Sequence, residues 1–404
     1  MSRRGLRRAG TLVVALATGA VACSLLIDKD TVQCKTDADC SARAGATCDT
    51  GQHVCVLGSA SDAGSDADAD AGSDAPTCNG AHPPPAPTGQ NAPGAPFVLG
   101  VTHVDFGESL DPGGQPSLES LGYDVDGLCT VDTASGGCTP PSWVAAANTK
   151  DGPLGRDNVL GRLIYLEGQG MVSTETVSQG YLKGELPLTL LRISGYSGEP
   201  EDPEVQVEWL VASSISVAAG TRTATVSTES VPDPDAGAPD GGVPKGLNLD
   251  AKAWVTGHVL VATFDNPTMV LHDISLPFTQ LTVTAKLEQD PVTKLWSARQ
   301  GVLAGHTRAS NVLGFLPAIM KRVLGITVCL DSVLYPETKT LICKYVDMVT
   351  YGAPDLQRQC DALSLALGFD ADPITLTGIA PRKEPPVECP TATDPRQDSC
   401  IAAP

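Results

Sequence analysis

Three segments in the middle of the chain alternate apolar and polar residues with a period of two, and this pattern constrains the fold most. Val205, Val207, Trp209 and Val211 share one face, while Glu204, Gln206 and Glu208 share the other. Leu281, Val283, Ala285 and Leu287 oppose Gln280, Thr282, Thr284 and Lys286 in the same way. Ala253, Val255, Val259 and Val261 form a third stripe. A strand with one apolar and one polar face belongs to an antiparallel sheet solvated on one side. Turn signals such as Gly195-Tyr196-Ser197-Gly198 and Asp290-Pro291 separate these segments. The expected fold class is therefore mainly β: an antiparallel β-sandwich, concanavalin- or jelly-roll-like, with a helical, disulfide-stapled C-terminal addition.

Helical spacing occurs early in the domain at Val159, Leu160, Leu163 and Ile164, predicting a helix over residues 158–165. From Ser310 the period changes again, with Val312, Phe315, Ile319 and Val323 at helical spacing around Pro317. A second C-terminal helix is predicted from Pro336 to Val349, proline suiting a first helical position. A third is predicted from Asp361 to Leu367, stopping at Gly368, with Ile374 to Ile379 returning to the sheet.

The chain begins with Arg3, Arg4, Arg7 and Arg8, then an apolar run from Thr11 to Ala22, then Cys23. A basic segment, a short apolar stretch and small residues read as an export signal over residues 1–22. Ala20-Val21-Ala22-Cys23 resembles a bacterial lipobox, which implies lipidation of Cys23 and a lipid-anchored outer-membrane or cell-surface address. Ala20 and Ala22 also satisfy the rule for ordinary signal cleavage. The chain has thirteen cysteines, so twelve remain beyond Cys23. Export with an even count reads as a disulfide set.

Residues 23–57 form a small module with Cys34, Cys40, Cys48 and Cys55 and almost no apolar residues, so crosslinks must hold it. Zinc, with His53 as an extra ligand, competes, but zinc sites favour closer cysteine pairs. Residues 58–96 read as a disordered linker of Asp, Ala, Ser and Gly, stiffened at its end by Pro83-Pro84-Pro85. Cys78 lies in it and, if the first module closes on itself, pairs with a cysteine of the large domain, 97–382. Cys129 and Cys138 are the most local candidate pair there, with Gly136 and Gly137 between them. Cys329, Cys343 and Cys360 are expected to staple the C-terminal helices. Cys389 and Cys400 are expected to close the tail, 383–404, on itself. Ser230 to Gly246 reads as a protruding loop.

The motif QCKTDADC, followed by glycine and two further cysteines, resembles a short segment of myxobacterial surface lipoproteins. The segments GYDVDG, GRDNVLG and LRISGYSG resemble secreted proteins of the same bacteria. These resemblances imply location and leave activity open.

The net charge of −20, with no Lys or Arg from Ala44 to Thr149, disfavours nucleic acid and anionic lipid surfaces as partners. No G-x-S-x-G, H-E-x-x-H, P-loop or G-x-G-x-x-G occurs. His103 and Asp105 share a strand face and could form a base and its orienting carboxylate, but no nucleophile accompanies them. His258 is read as a packing or surface residue.

Asp124 and Asp126 of GYDVDG, with Asp151, Asp157 and Asn158, are hard oxygen donors suited to Ca²⁺. The same residues also make turns, and Asp157 could cap the following helix. Two functions remain: a non-enzymatic surface protein that binds a glycan or protein or contributes to the envelope, and an extracellular β-sandwich hydrolase acting on glycans through paired carboxylates. Only Trp143, Trp209, Trp254 and Trp296 are available to stack on sugars, and Trp209 belongs to an apolar stripe.

Overall fold

The computed structural model describes residues 80–108, 117–130, 137–144, 147–167, 174–218, 221–233, 242–271, 274–383 and 389–404, with 36, 46–49 and 54–57 nearer the N-terminus. Cys23, Cys34, Cys40 and Cys78 lie outside the described residues. The chain divides into Met1–Asp74 and Ala75–Pro404. In the first unit, β1 (Ala46–Asp49) pairs antiparallel with β2 (Val54–Leu57), placing Cys48 opposite Cys55.

The second unit contains β3 (Gly94–Asp105), α1 (Val159–Glu167), α2 (Thr174–Lys183), β4 (Thr189–Gly195), β5 (Glu201–Ala218) and β6 (Thr221–Ser227). There follow β7 (Asn248–Thr256), β8 (Val259–Phe264), β9 (Thr268–Leu271), β10 (Ile274–Pro277), β11 (Gln280–Gln289) and β12 (Trp296–Arg308). Last come α3 (Ala309–Leu324), α4 (Tyr335–Cys343), β13 (Ala362–Pro373) and β14 (Thr375–Ala380).

The order β5-β4-β3-β13-β12-β11-β8-β7 returns to β5, so eight antiparallel strands close a barrel, not the expected open sandwich. Closure depends on β5, which is 18 residues long. Its first half pairs with β7, from Glu201↔Thr256 to Trp209↔Asn248. Its second half, from Ala212 to Ala218, carries β6 instead, and β14 adds to β6 in parallel. Closing the ring leaves its eight strands without an unpaired edge.

One face of every ring strand is apolar and buried. Leu191 opposes Trp209, Leu281 opposes Phe264, Val283 opposes both Ala262 and Leu303, and Leu303 opposes Leu367. These side chains fill a small barrel. Gly301 lies under the Phe369 ring, where a Cβ would come within 2.3 Å of it, so close packing requires glycine there. The stripe expected across Ala253, Val255, Val259 and Val261 breaks at the Gly257-His258 turn. Val255 opposes Leu260, while Val261 opposes Trp254. The two-residue turn resets the phase.

The helix expected over residues 361–367 is instead β13. Every residue from Ala362 to Phe369 is buried, because the outer face is covered as well as the inner one. The Ser364 Oγ accepts the Val159 N–H of α1, and the Asn158 Oδ1 accepts the Ala366 N–H. A strand buried on both faces loses its period-two signature and reads as a plain apolar run. Helix α1 forms near its expected place, and α3 carries Pro317 internally, with Gly325 at φ 70° ending it. Helix α4 stops at Cys343, so residues 344–349 are loop. Helix α2 was not foreseen; its sequence, TETVSQGYLK, is too polar to show a clear stripe. The proline end of the expected linker packs on this unit: the Trp254 Nε1 donates to Pro84 O and the Thr256 Oγ1 to Pro85 O.

Three disulfides differ from the expected local ones: Cys138–Cys360, Cys329–Cys389 and Cys343–Cys400. Cys129 is also disulfide-bonded, but not to Cys138. The tail is therefore tied to the helical segment and not closed on itself. Local spacing misleads because pairing needs Cα atoms a few ångströms apart in the folded chain, and these lie 5.2–5.7 Å apart.

Candidate metal centre

The loop carrying Asp124 and Asp126 lies over the outside of the barrel, anchored at both ends. Gly122, at φ 105°, approaches Ala366 and the Asp157 carbonyl so closely that a Cβ would come within 2.9 Å of the Ala366 side chain. The Tyr123 hydroxyl lies 2.8 Å from Thr284 Oγ1 on β11, and Tyr123 O accepts the Asp157 N–H. The Asp124 N–H donates to Ala81 O.

Turn hydrogen bonds aim the carboxylates. The Asp124 Oδ1 accepts the Gly127 N–H, the Asp126 Oδ1 accepts the Leu128 N–H, and the Asp157 Oδ2 accepts the Val125 N–H at 2.6 Å. Asp151 and Thr130 bond reciprocally, each backbone N–H being accepted by an oxygen of the other residue. Oxygen atoms of Asp124, Asp126 and Asp157 lie within 4.8 Å of one another. A carboxylate oxygen already accepting one N–H can still accept or ligate at other lone pairs, so these bonds orient the group without using it up.

Asp151 lies near enough for Asp126, Asp157 and Asp124 all to act on its proton affinity. Asp347, in the loop after α4, adds a fifth carboxyl and was not foreseen. Its Oδ1 accepts the Ser364 N–H and its Oδ2 the Ser364 hydroxyl at 2.6 Å, which places it beneath the loop on β13. Asn158 is not part of the donor set. Its Oδ1 is taken by the N–H groups of Gly161 and Ala366, so Asn158, and not Asp157, caps α1 and ties it to β13.

The electrostatics follow from burial without compensation. Asp124, Asp151, Asp157 and Asp347 are all buried. Among the described residues, no Lys or Arg pairs with Asp126, Asp151, Asp157 or Asp347. Burial, reinforced by the neighbouring carboxylates, pushes Asp126 up to about 6, Asp151 to about 7 and Asp347 to about 8. Asp157 rises well above the usual carboxylate range for the same reasons. Asp124 is also raised by burial, with His82 acting against the shift. Such a group must hold protons or a cation. Three converging carboxylates suit Ca²⁺, which takes six to eight oxygens.

The other candidates stand apart. The His103 Nδ1 lies 3.0 Å from Ser178 Oγ on α2, while the Asp105 Oδ1 accepts the N–H groups of Gly107 and Glu108. That geometry holds a strand end and a turn. His258 sits at the tip of the β7–β8 turn, its Nδ1 3.0 Å from the Tyr196 hydroxyl. Asp126 also lines an open cleft of about 420 Å³, which it shares with Asp265, His306 and Thr350.

No protein-family model, curated protein or solved structure matches this chain, so its chemistry is read from its own residues.

Proposed function

We propose that this protein is an exported, lipid-anchored surface lipoprotein of the myxobacterial type, with a non-enzymatic binding role, whose barrel domain holds Ca²⁺ in the acidic centre. The observation that carries the cation is the convergence of Asp124, Asp126 and Asp157 beside two further buried carboxyls without a paired Lys or Arg on four of the five. The disulfides suit an oxidising, extracellular compartment. Among the described residues no helix is long and apolar enough to cross a membrane; the support for an anchor is the Ala20-Val21-Ala22-Cys23 motif.

Calorimetric titration of the metal-depleted protein with Ca²⁺ tests the centre. One saturable site is expected, weakened at least tenfold by Asp126→Asn. Absence of binding heat and of any shift in melting temperature would remove the ion. Detergent partitioning of wild type against Cys23→Ala tests the anchor independently, only the wild type being expected in the detergent phase.

A second reading, a glycan hydrolase, draws on the cleft, whose lining includes both Asp126 and Asp265. Release of reducing sugar from a glycan panel, lost in Asp265→Asn, would favour it over simple binding.

A further inference from the structure

Eight cysteines belong to the barrel unit, Ala75–Pro404, and the three bridges already described take six of them. Cys129 is disulfide-bonded too, and none of those six is its partner. The one cysteine left in the same unit is Cys78. Setting Cys23 aside, the unit Met1–Asp74 contains four cysteines, an even set that can close within its own module.

The described residues bring Cys129 and the neighbourhood of Cys78 together. Gly80 stands two positions after Cys78, and a Cβ on it would come within 1.9 Å of Asp124 Oδ2, so this backbone lies hard against the acidic loop. Ala81 is pinned on both sides: its N–H donates to Leu154 O at 2.8 Å, and its O accepts the Asp124 N–H at 2.9 Å. Two residues of chain reach about 7 Å at most, which keeps Cys78 beside that loop. Cys129 ends the same loop. The Asp124 Oδ1 accepts the Gly127 N–H at 2.7 Å, and Gly127, at φ 79°, folds the chain back before Cys129.

A bridge at this place acts on the acidic centre. Asp124 and Asp126 lie between the segment pinned to Ala81 and Cys129, and the carboxylates of the centre repel one another whenever protons or a cation are lacking. Water can replace the turn hydrogen bonds that aim these carboxylates, but it cannot replace a covalent link. A loop held in place beforehand loses less freedom when an ion binds. The cysteines of the three other bridges are 0–9% exposed, whereas Cys129 is only half-buried. A reductant therefore meets this bridge first.

We infer that Cys78 and Cys129 are bridged, and that this bridge is a clasp positioning Asp124 and Asp126 for the cation. Its formation takes two protons and two electrons from the two thiols, passed by thiol–disulfide exchange to a disulfide oxidant of the exporting compartment. The pairing is independent of the cation, and the positioning role rests on the Ca²⁺ reading proposed above.

Peptide mapping of the intact, unreduced chain tests the pairing. Trypsin leaves both cysteines in one fragment, because no Lys or Arg lies between Ala44 and Thr149. A protease that cuts before aspartate separates them, and Asp74–Val104 should be recovered joined to Asp126–Val131. Either fragment joined instead to a cysteine of Met1–Asp74 would overturn the pairing. Hydrogen exchange in chelator tests the clasp without an ion. The Val125, Gly127 and Leu128 amides should exchange at least tenfold faster in Cys78→Ser/Cys129→Ser and at the wild-type rate in Cys329→Ser/Cys389→Ser. Calorimetry should show Ca²⁺ weakened at least threefold by the first pair of substitutions and unchanged by the second. If the first variant does not fold, wild type opened by limiting phosphine and alkylated supplies the same readouts, with the labels expected on Cys78 and Cys129. Unchanged exchange would overturn the clasp, and unchanged Ca²⁺ affinity would overturn its positioning role. Linked fragments and faster exchange in a wild type that binds no Ca²⁺ would defeat the cation reading and the positioning role, and establish the clasp alone.

Discussion

Two sets of desolvated carboxylates in this barrel domain respond in opposite ways. Asp372 and Asp398 are desolvated, which by itself would raise their proton affinity, yet both are held below the usual range. Arg299 and Arg222, with the Thr102 hydroxyl, outweigh burial at Asp372, and Lys339 with the Tyr335 hydroxyl does so at Asp398. Asp126, Asp151, Asp157 and Asp347 are desolvated too, but face one another and rise. The difference lies in the neighbours. Where the fold supplies a cation, the site is closed and structural. Where it does not, the site is open to protons or to an ion from solution.

The comparison can be broken most severely by adding the missing cation to the open site. Free Ca²⁺ a hundredfold above its dissociation constant stabilises by about 2.7 kcal/mol through mass action. Melting temperature should rise with millimolar Ca²⁺, return with chelator, and stop responding in Asp126→Asn.

Taking the cation from the closed site should have the next largest effect. Lys339 is 1% exposed and bonds Asp398 at 2.9 Å. Lys339→Met should cost about 2 kcal/mol in urea unfolding, because Asp398, whose side chain is 20% exposed, is left partly desolvated without its partner. A loss below about 1 kcal/mol would mean that the methionine chain replaces what the pair supplies.

The pH dependence of the metal-free protein sharpens the contrast further. A carboxyl whose folded pKa is raised binds more protons folded than unfolded, so stability falls as pH rises from its unfolded value through its folded one. With Asp126 at about 6, Asp151 at about 7 and Asp347 at about 8, the open site should lose stability between about pH 4 and pH 8. Asp372 and Asp398, held low, contribute above the ordinary carboxylate range and lose that contribution as pH falls below it. Urea midpoints across this range, with and without Ca²⁺, should show a slope that the ion suppresses and that Asp347→Asn reduces. A flat metal-free profile would show that these carboxyls do not titrate with folding.

The smallest change is expected at the rim. Glu119 reaches Arg162 at 3.4 Å with its side chain 54% exposed, so solvent screens the pair. Glu119→Gln should alter stability by less than about 0.5 kcal/mol and leave the Ca²⁺ response unchanged. A larger effect would place Arg162 within reach of the acidic centre.

Part of this site could be read before folding was known. Asp124 and Asp126 lie just before a turn glycine, Gly127, and Asp157 follows some thirty residues later, so hard oxygen donors of the kind a cation needs are visible in the sequence. Asp347 could not be found that way, since β13 brings it beneath the loop only once the barrel is assembled. In the sequence Asn158 reads as a ligand because the oxygen that suits a cation also suits a helix cap. Only the positions of the Gly161 and Ala366 amides decide between them.

The alternation in β5 and β11 determined by itself that antiparallel strands with one buried face would form, because side chains on a strand point alternately to its two sides. The cysteine content and acidic composition determined a crosslinked chain with few partners for anions. Tertiary structure alone decided that the strands close on themselves, since a period of two looks the same in a sandwich and a barrel. Closure lies in which strands are neighbours, and here it rests on β5 meeting β7 along its first half. The same long-range pairing turned the apolar run of β13 from an expected helix into a strand buried on both faces, and so set the floor on which the five carboxylates meet.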